Sequence, residues 1–345
     1  MALFGRRSSE ATPLDGVDVV LADLDGVVYA GAGALPYAIE SLNRSRDGRR
    51  LGYITNNASR TDASVAGHLS ELGLETAPSE VVTSPQAAMR LLVERIAPGS
   101  TVLVVGGDGL VSELEKSGFA VTRSAEDSPA AVVQGFAPEV GWAQLAEAAY
   151  ALALPEEEGG IPWIATNTDW TIPQARGIAP GNGTLVSAVH TAVGRLATVA
   201  GKPEVPIFDE AVARFDAQHP LFLGDRLDTD ILGANRAGIP SALVLTGIDR
   251  PKHVLAAPTG SQPAYILGDL RELHEPYPEA QVRDGVVTVR GAKVRIEGPD
   301  VRILAEGDRP VDLLRAGAKA IWDTGRAIYG FRVPERLYAD PFHRP

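Results

Sequence analysis

The sequence predicts an α/β fold built on a mostly parallel sheet, with a small β-β-β-α module at its C-terminal end. Three observations carry this. Short apolar, Val-rich runs bounded by Gly or polar turns occur at 17–22, 51–55, 81–84, 101–107, 131–134, 161–165, 221–223 and 241–247, and such runs suit strands covered on both faces. Between them, apolar residues recur at helical spacing, and strand and helix patterns that alternate in this way form βαβ units. Beyond about residue 275 the pattern changes to alternating strands at 286–290, 292–296 and 301–304, followed by a helical stretch over 311–329.

The first strand runs into Asp23-Leu24-Asp25-Gly26-Val27-Val28-Tyr29. Side chains alternate along a strand, so Asp23 and Asp25 start on one side, and a turn at Gly26 lets both address a ligand beyond the strand's carboxyl end. A helix cap or an Asx turn is the plainer alternative for either residue. A small-residue loop over 30–36 and a helix over 37–44 lead to the second strand, which ends in Thr55-Asn56-Asn57 and repeats this layout. Further helices are expected at 64–72, where Gly73 is a stop signal, and at 85–96, 110–116, 142–154, 183–196, 207–215 and 231–237. Gly106-Gly107-Asp108-Gly109 lacks the dinucleotide-binding spacing and reads as a tight turn. Gly201-Lys202-Pro203 lies in a polar turn, and the strand at 221–223 ends in Gly224-Asp225 with Thr229-Asp230 close behind.

Length and composition narrow the functions. The chain has 345 residues, enough for two or three domains, and its 45% apolar and 22% charged residues are those of a globular protein. A net charge of −12 argues against general affinity for nucleic acid or anionic membranes. The absence of cysteine excludes disulfides, Cys-based zinc sites and a cysteine nucleophile. His68, His190, His219, His253, His274 and His343 show no ligand spacing and are expected to be ordinary surface or core residues. Residues 1–10 lack the apolar segment of a signal peptide, and no run approaches the ~18 apolar residues of a membrane span, so a cytoplasmic protein is expected. No serine-hydrolase elbow and no P-loop occurs.

Three strand ends therefore carry polar chemistry: Asp23 with Asp25, Thr55 with Asn56, and Asp225 with Asp230, with Lys202 between the last two. Carboxylates converging at one edge repel each other unless a cation sits among them. Hard oxygen donors without His or Cys suit Mg²⁺, which binds through one or two carboxylates plus substrate phosphate. Lys202 adds a fixed positive charge, and hydroxyl and N–H groups at a strand-to-helix turn suit phosphate oxygens. A glycosidase pair fits poorly, because Asp23 and Asp25 are too close to leave room for an activated water and the lysine has no role.

These stretches, Asp23-Leu24-Asp25-Gly26-Val27-Val28-Tyr29, Thr55-Asn56-Asn57, Gly201-Lys202-Pro203 and Gly224-Asp225 with Thr229-Asp230, resemble the four ordered motifs of the haloacid dehalogenase-like hydrolase superfamily. Within it they resemble the NagD-type branch, which includes para-nitrophenyl phosphatase and phosphoglycolate phosphatase, over about residues 17–270. The resemblance implies a Rossmann-like parallel-sheet core at 1–84 and 197–274, an inserted α/β cap at 85–196 that sets substrate specificity, and an α+β extension at 275–345. It implies a Mg²⁺-dependent phosphatase in which Asp23 is the nucleophile, forming an aspartyl-phosphate, and Asp25 the general acid and base. Thr55 would hold a phosphoryl oxygen, Lys202 would offset charge on Asp23 and the phosphate, and Asp225 would ligate the metal with Asp23 and the Asp25 carbonyl. Asp230 would support the metal waters or Lys202. Substrate contacts are expected of Asn56, Asn57, Lys202 and the cap residues Asn167 and Asp169, for which a plain Asx turn is the alternative. Arg176 suits either a second anionic group or solvent. Trp170 and Asn182 depart from the smaller residues expected in close relatives.

The whole chain looks like actinobacterial glycerol 3-phosphate phosphatases, which makes glycerol 3-phosphate the expected substrate and glycerophospholipid metabolism the expected setting. A 2-phosphoglycolate or nucleotide 5′-phosphatase, and a catalytically silent phosphate-ligand-binding regulatory protein, are the alternatives. The segment after Glu279 resembles a fragment of an acetyltransferase fold without its pyrophosphate loop, so no acyl transfer is expected of it. A packing role or a homodimer contact is.

Overall fold

The computed structural model describes residues 11–174 and 176–341. Residues 1–10, on which the targeting expectation rests, and His343 lie outside them. The chain forms two compact units, Met1–Leu51 with Ala217–Pro345, and Gly52–Asp216.

In the first unit four parallel strands lie in the order Tyr265–Leu267, Ser241–Val244, Pro220–Gly224, Val19–Ala22, with Val19 opposite Pro220 and Ala22 opposite Leu223. Every residue of Val19–Ala22 is buried, as a strand covered on both faces requires. The strand Tyr265–Leu267 was not predicted, since three residues are too few to set a pattern. The C-terminal segment forms an antiparallel meander of Gln281–Arg283, Val286–Val289, Ala292–Glu297 and Asp300–Ala305, one strand more than expected. Asp284-Gly285, both at positive φ, closes the first hairpin.

The following helix, Pro310–Trp322, is buried on almost all sides. Its Leu313, Leu314 and Ile321 share one apolar cluster with Val287, Val294 and Val301 of the meander and with Leu243, Val254 and Ile266 of the parallel-sheet region. A helix enclosed in this way must be apolar around its whole circumference, which this one nearly is. It stops at Trp322, short of the expected 329, because Gly325 adopts a φ of 66° and the Thr324 hydroxyl donates back to the Ile321 carbonyl at 2.7 Å.

Two buried charged residues, Asp312 and Arg315, interrupt that apolar helix. Arg315 is buried and donates from Nε to the Ile266 carbonyl at 2.9 Å, from Nη1 to Asp312 at 2.7 Å, and from Nη2 to Glu272. Its guanidinium lies 4.4 Å from the centre of the Tyr277 ring, whose hydroxyl accepts from the Ile266 N–H at 3.0 Å. Burial opposes the Arg315 charge, yet Tyr277, Glu272 and Asp312 together hold its pKa above the usual arginine value. Burial likewise pushes the Glu272 carboxyl up, against the pull of Arg315 and Arg309.

His274 has a structural role. Its Nε2 lies 2.9 Å from the Ser41 carbonyl and 3.4 Å from the Ser45 hydroxyl, tying the turn Leu270–His274 to the helix Ala38–Ser45. Burial first, then Arg44 and Arg49, lowers its pKa below the ordinary value. The unfolded chain therefore binds more protons at His274 than the folded one, and stability falls as pH drops below about 6.5. Calorimetric melting should show a smaller loss of Tm between neutral pH and about pH 5.5 in His274→Gln than in the wild type.

The second unit holds a five-stranded parallel sheet in the order Thr198–Val199, Trp163–Ala165, Ala131–Gln134, Thr101–Val105, Ala120–Thr122. Residues of the helices Trp142–Ala151 and Asn182–Val193 pack on this sheet around Trp163, with Leu103, Val132, Ala148, Val186 and Val189 in one cluster. The unit also contains the parallel pairing of residues 53–55 with Val81–Thr83, in which Thr55 is opposite Thr83. The segment expected as a loop at 178–182 begins instead as a hairpin strand, Gly177–Pro180, antiparallel to Thr171–Gln174. The last helix of the hairpin region stops at Val193 because Gly194 takes a φ of 71°. The fold class is the one predicted: an α/β protein with parallel sheets and a C-terminal α+β module. No helix among the described residues is long and apolar enough to cross a membrane.

Candidate active site

The first unit gathers carboxylates at the ends of two adjacent parallel strands. Asp23 follows Val19–Ala22 and continues its ladder, donating its N–H to the Leu223 carbonyl at 2.8 Å. Asp225 follows Pro220–Gly224, and Asp230 lies one wide turn further on, in Leu227–Ile231. Each of Asp23, Asp225 and Asp230 offers a carboxylate oxygen within 4.8 Å of the other two, and all three residues are buried. Three buried acids this close call for a compact positive charge among them, and their hard oxygen donors fit Mg²⁺.

The backbone holds these acids in place. Asp230 accepts from the N–H groups of Asp225 and Arg226 at 3.1 and 3.2 Å, which folds the loop back on the strand end. One Asp225 oxygen accepts from the Ile248 N–H at 2.6 Å. Gly247 must lack a side chain here, because a Cβ on it would fall 2.0 Å from that same oxygen. Asp25 differs from Asp23. The strand ends at Ala22, and the N–H groups of Val27, Val28 and Tyr29 all turn back to the Leu24 carbonyl. Asp23 is therefore buried while Asp25 is exposed, and the Asp25 carboxylate lies outside the buried trio.

The second unit gathers amides and a lysine. Thr55 ends its strand buried and accepts the Asn57 N–H at 3.1 Å. Asn56 is the hub. Its Nδ2 donates to both Asp169 oxygens, at 3.1 and 3.2 Å, and to the Lys202 carbonyl at 3.0 Å, while its Oδ1 accepts the Lys202 N–H at 2.8 Å. Buried Lys202 is thus clamped on both sides of its own backbone. Gly201 permits that approach, since a Cβ there would lie 2.6 Å from Asn56 Oδ1.

The remaining expected residues serve the same scaffold. Asn57 Oδ1 accepts from the N–H and the hydroxyl of Ser59, both at 2.9 Å. Asn167 is buried, donates to the Asn56 carbonyl at 2.7 Å and accepts the Asp169 N–H at 3.2 Å, the geometry of an Asx turn. Asn182, fully buried, donates to the Asn167 carbonyl at 2.7 Å, which accounts for an amide where a smaller residue was expected. Arg176 and Trp170 are exposed. Thr246 to Asp249 carry no signal of a site in the sequence beyond the end of a strand.

A family profile described as haloacid dehalogenase-like hydrolase matches residues 20–120, and a second profile of the same kind matches residues 199–273. D-glycerol 3-phosphate phosphatase of Mycobacterium tuberculosis is 43% identical over 330 residues, covering 93% of this chain and 90% of its own. Glycerol-3-phosphate phosphatase of Gallus gallus is 37% identical over 75% of this chain and 92% of its own. The crystal structure of a glycerol phosphate phosphatase from Mycobacterium tuberculosis in complex with magnesium superposes with a TM-score of 0.84 at 40% identity, over 93% of this chain and 94% of that one. This chain belongs to the haloacid dehalogenase-like hydrolases.

Proposed function

We propose that this protein is a Mg²⁺-dependent phosphatase that hydrolyses glycerol 3-phosphate to glycerol and phosphate through an aspartyl-phosphate on Asp23. The observation that carries the substrate assignment is the similarity to D-glycerol 3-phosphate phosphatase across 93% of the chain, C-terminal module included. The chemistry rests on the buried trio of Asp23, Asp225 and Asp230.

Hydrolysis of phosphate monoesters is among the slowest uncatalysed reactions, with enzymatic accelerations up to ~10²¹, so charge neutralisation and positioning must be extensive. Asp23, Asp225 and the Asp25 carbonyl, with support from Asp230, would hold Mg²⁺, which when bound would supply Lewis-acid neutralisation of the phosphate charge. Asp23 attacks phosphorus with one carboxylate oxygen, and the P–O bond to the glycerol oxygen breaks. Asp25 protonates that leaving alkoxide, then removes a proton from the water that attacks the aspartyl-phosphate, releasing phosphate and restoring Asp23. Exposure of Asp25 suits a group that exchanges protons with water. Lys202 offsets the negative charge of Asp23 and the phosphoryl group, and the Thr55 hydroxyl holds a phosphoryl oxygen. Asn56 positions Lys202, while Asn57, Asn167 and Asp169 shape the surroundings of the substrate. The core is assigned to 1–84 and 197–274, the cap to 85–196 and the extension to 275–345. The enzyme is assigned to the cytoplasm and to a homodimer, the latter checked by light scattering on the purified chain.

Phosphate release measured over glycerol 3-phosphate, 2-phosphoglycolate, nucleoside 5′-monophosphates and para-nitrophenyl phosphate tests the assignment. Glycerol 3-phosphate should give the highest kcat/KM, with activity lost on chelation and restored by Mg²⁺. A higher value for phosphoglycolate or a nucleotide would reassign the substrate, and no release from any ester would favour a silent phosphate-binding protein.

A further inference from the structure

The turn after the strand Ser241–Val244 touches both loops that carry the metal-site acids. The Thr246 hydroxyl donates to the Gly26 carbonyl at 2.7 Å, one residue beyond Asp25. Ile248 donates its N–H to Asp225 Oδ2 at 2.6 Å. Asp249 donates its N–H to the Asp225 carbonyl at 3.2 Å, and its own carboxylate accepts the Leu227 N–H at 2.6 Å. A Cβ on Gly26 would lie 2.3 Å from Asp225 Oδ2 and 3.0 Å from the Gly247 Cα, so the three segments meet with no room for another atom.

We infer that residues 246–249 form a bracket that sets the affinity of the site for its divalent cation, with Thr246 as a positioning residue that fixes the Gly26–Val27 peptide, and so the neighbouring Asp25 carbonyl, relative to Asp225. The physical reason is that the strand ladder fixes the two loops against each other only as far as Asp23, and beyond it the bonds within each loop do not fix Gly26 relative to the Asp225 carboxylate. Ile248 fixes the orientation of the Asp225 carboxylate, and Thr246 fixes the carbonyl next to Asp25 against the same turn. Both anchors lie within three residues of each other, so the donor groups on the two loops reach a cation already spaced. A loop left to find that spacing on binding must lose conformational freedom then, and the affinity falls accordingly.

This inference rests on the Mg²⁺-dependent function proposed above, and calorimetric titration of Mg²⁺ into the full chain separates the two. Thr246→Val keeps the shape and removes the donor, while Thr246→Ser keeps the donor and removes the methyl. A neutral hydrogen bond typically corresponds to a factor of about five to ten in an equilibrium constant, so Thr246→Val should raise the Mg²⁺ Kd by about that factor. Thr246→Ser should stay within about twofold of the wild type. Should the valine variant fail to fold, Thr246→Ala takes its place. Wild-type affinity in the variant lacking the hydroxyl, or a serine variant as weak as it, overturns the inference. Absence of Mg²⁺ binding by the wild type would instead overturn the proposed function.

Discussion

Asp23→Asn abolishes phosphate release, by at least about 10⁴-fold in kcat, and leaves the fold intact. The amide is isosteric, but it is a far weaker nucleophile than the carboxylate, and it removes one of three negative charges gathered within 4.8 Å. Removal of a nucleophile that acts as one unit with its partners typically costs this much, because the residual catalysis comes only from binding and charge stabilisation. The same change relieves repulsion between Asp23, Asp225 and Asp230, so the melting temperature in the absence of metal should be equal to or higher than that of the wild type. Retained turnover would remove Asp23 as nucleophile, whereas a collapsed melting transition would make it a structural residue.

The second large effect is on stability. Arg315→Ala should destabilise the chain by about 3 kcal/mol, because it removes the cation that buried Glu272 and Asp312 share, leaving them only Arg309 and Arg290, and leaves the Ile266 carbonyl without its donor. Urea unfolding followed by circular dichroism measures this. Arg332, paired with Asp300 on an exposed face of the meander, is the control, and its alanine variant should unfold close to the wild type. The Arg315 cluster ties the helix Pro310–Trp322 to the turn Leu270–His274 and the strand Tyr265–Leu267, so loss of its charge loosens the C-terminal module from the sheet region it packs on. An effect below about 1 kcal/mol would mean that the apolar cluster alone holds the module.

The strand ends were legible because the chemistry is local there: an apolar run followed by acids names its own position on a parallel sheet. Asp23, Asp225 and Asp230 could thus be nominated from short stretches, and the structure gathers them. The difference between Asp23 and Asp25 was not legible, since it depends on the turn back to the Leu24 carbonyl, which removes the alternation the sequence suggests. Asn56 illustrates a second limit. Its partners Asp169 and Lys202 are 113 and 146 residues away, and no local pattern distinguishes an amide that clamps a lysine from one that faces a ligand. Thr246 and Gly26 are separated by 220 residues, and Arg315 and Glu272 by 43, so their roles exist only in the folded chain. Helix ends followed the glycines: Gly194 and Gly325 each stopped a helix before its apolar pattern ran out, because a left-handed residue ends the hydrogen-bond ladder whatever follows.

Rapid acid quench of the wild-type chain during turnover of glycerol 3-phosphate with Mg²⁺, followed by mass spectrometry of its peptides, tests the covalent chemistry at Asp23 most directly. Phosphate should be found on the peptide containing Asp23, at that residue, and be absent from Asp23→Asn and from metal-depleted protein. Phosphate on another side chain, or turnover with no phosphorylated peptide at any quench time, would contradict it.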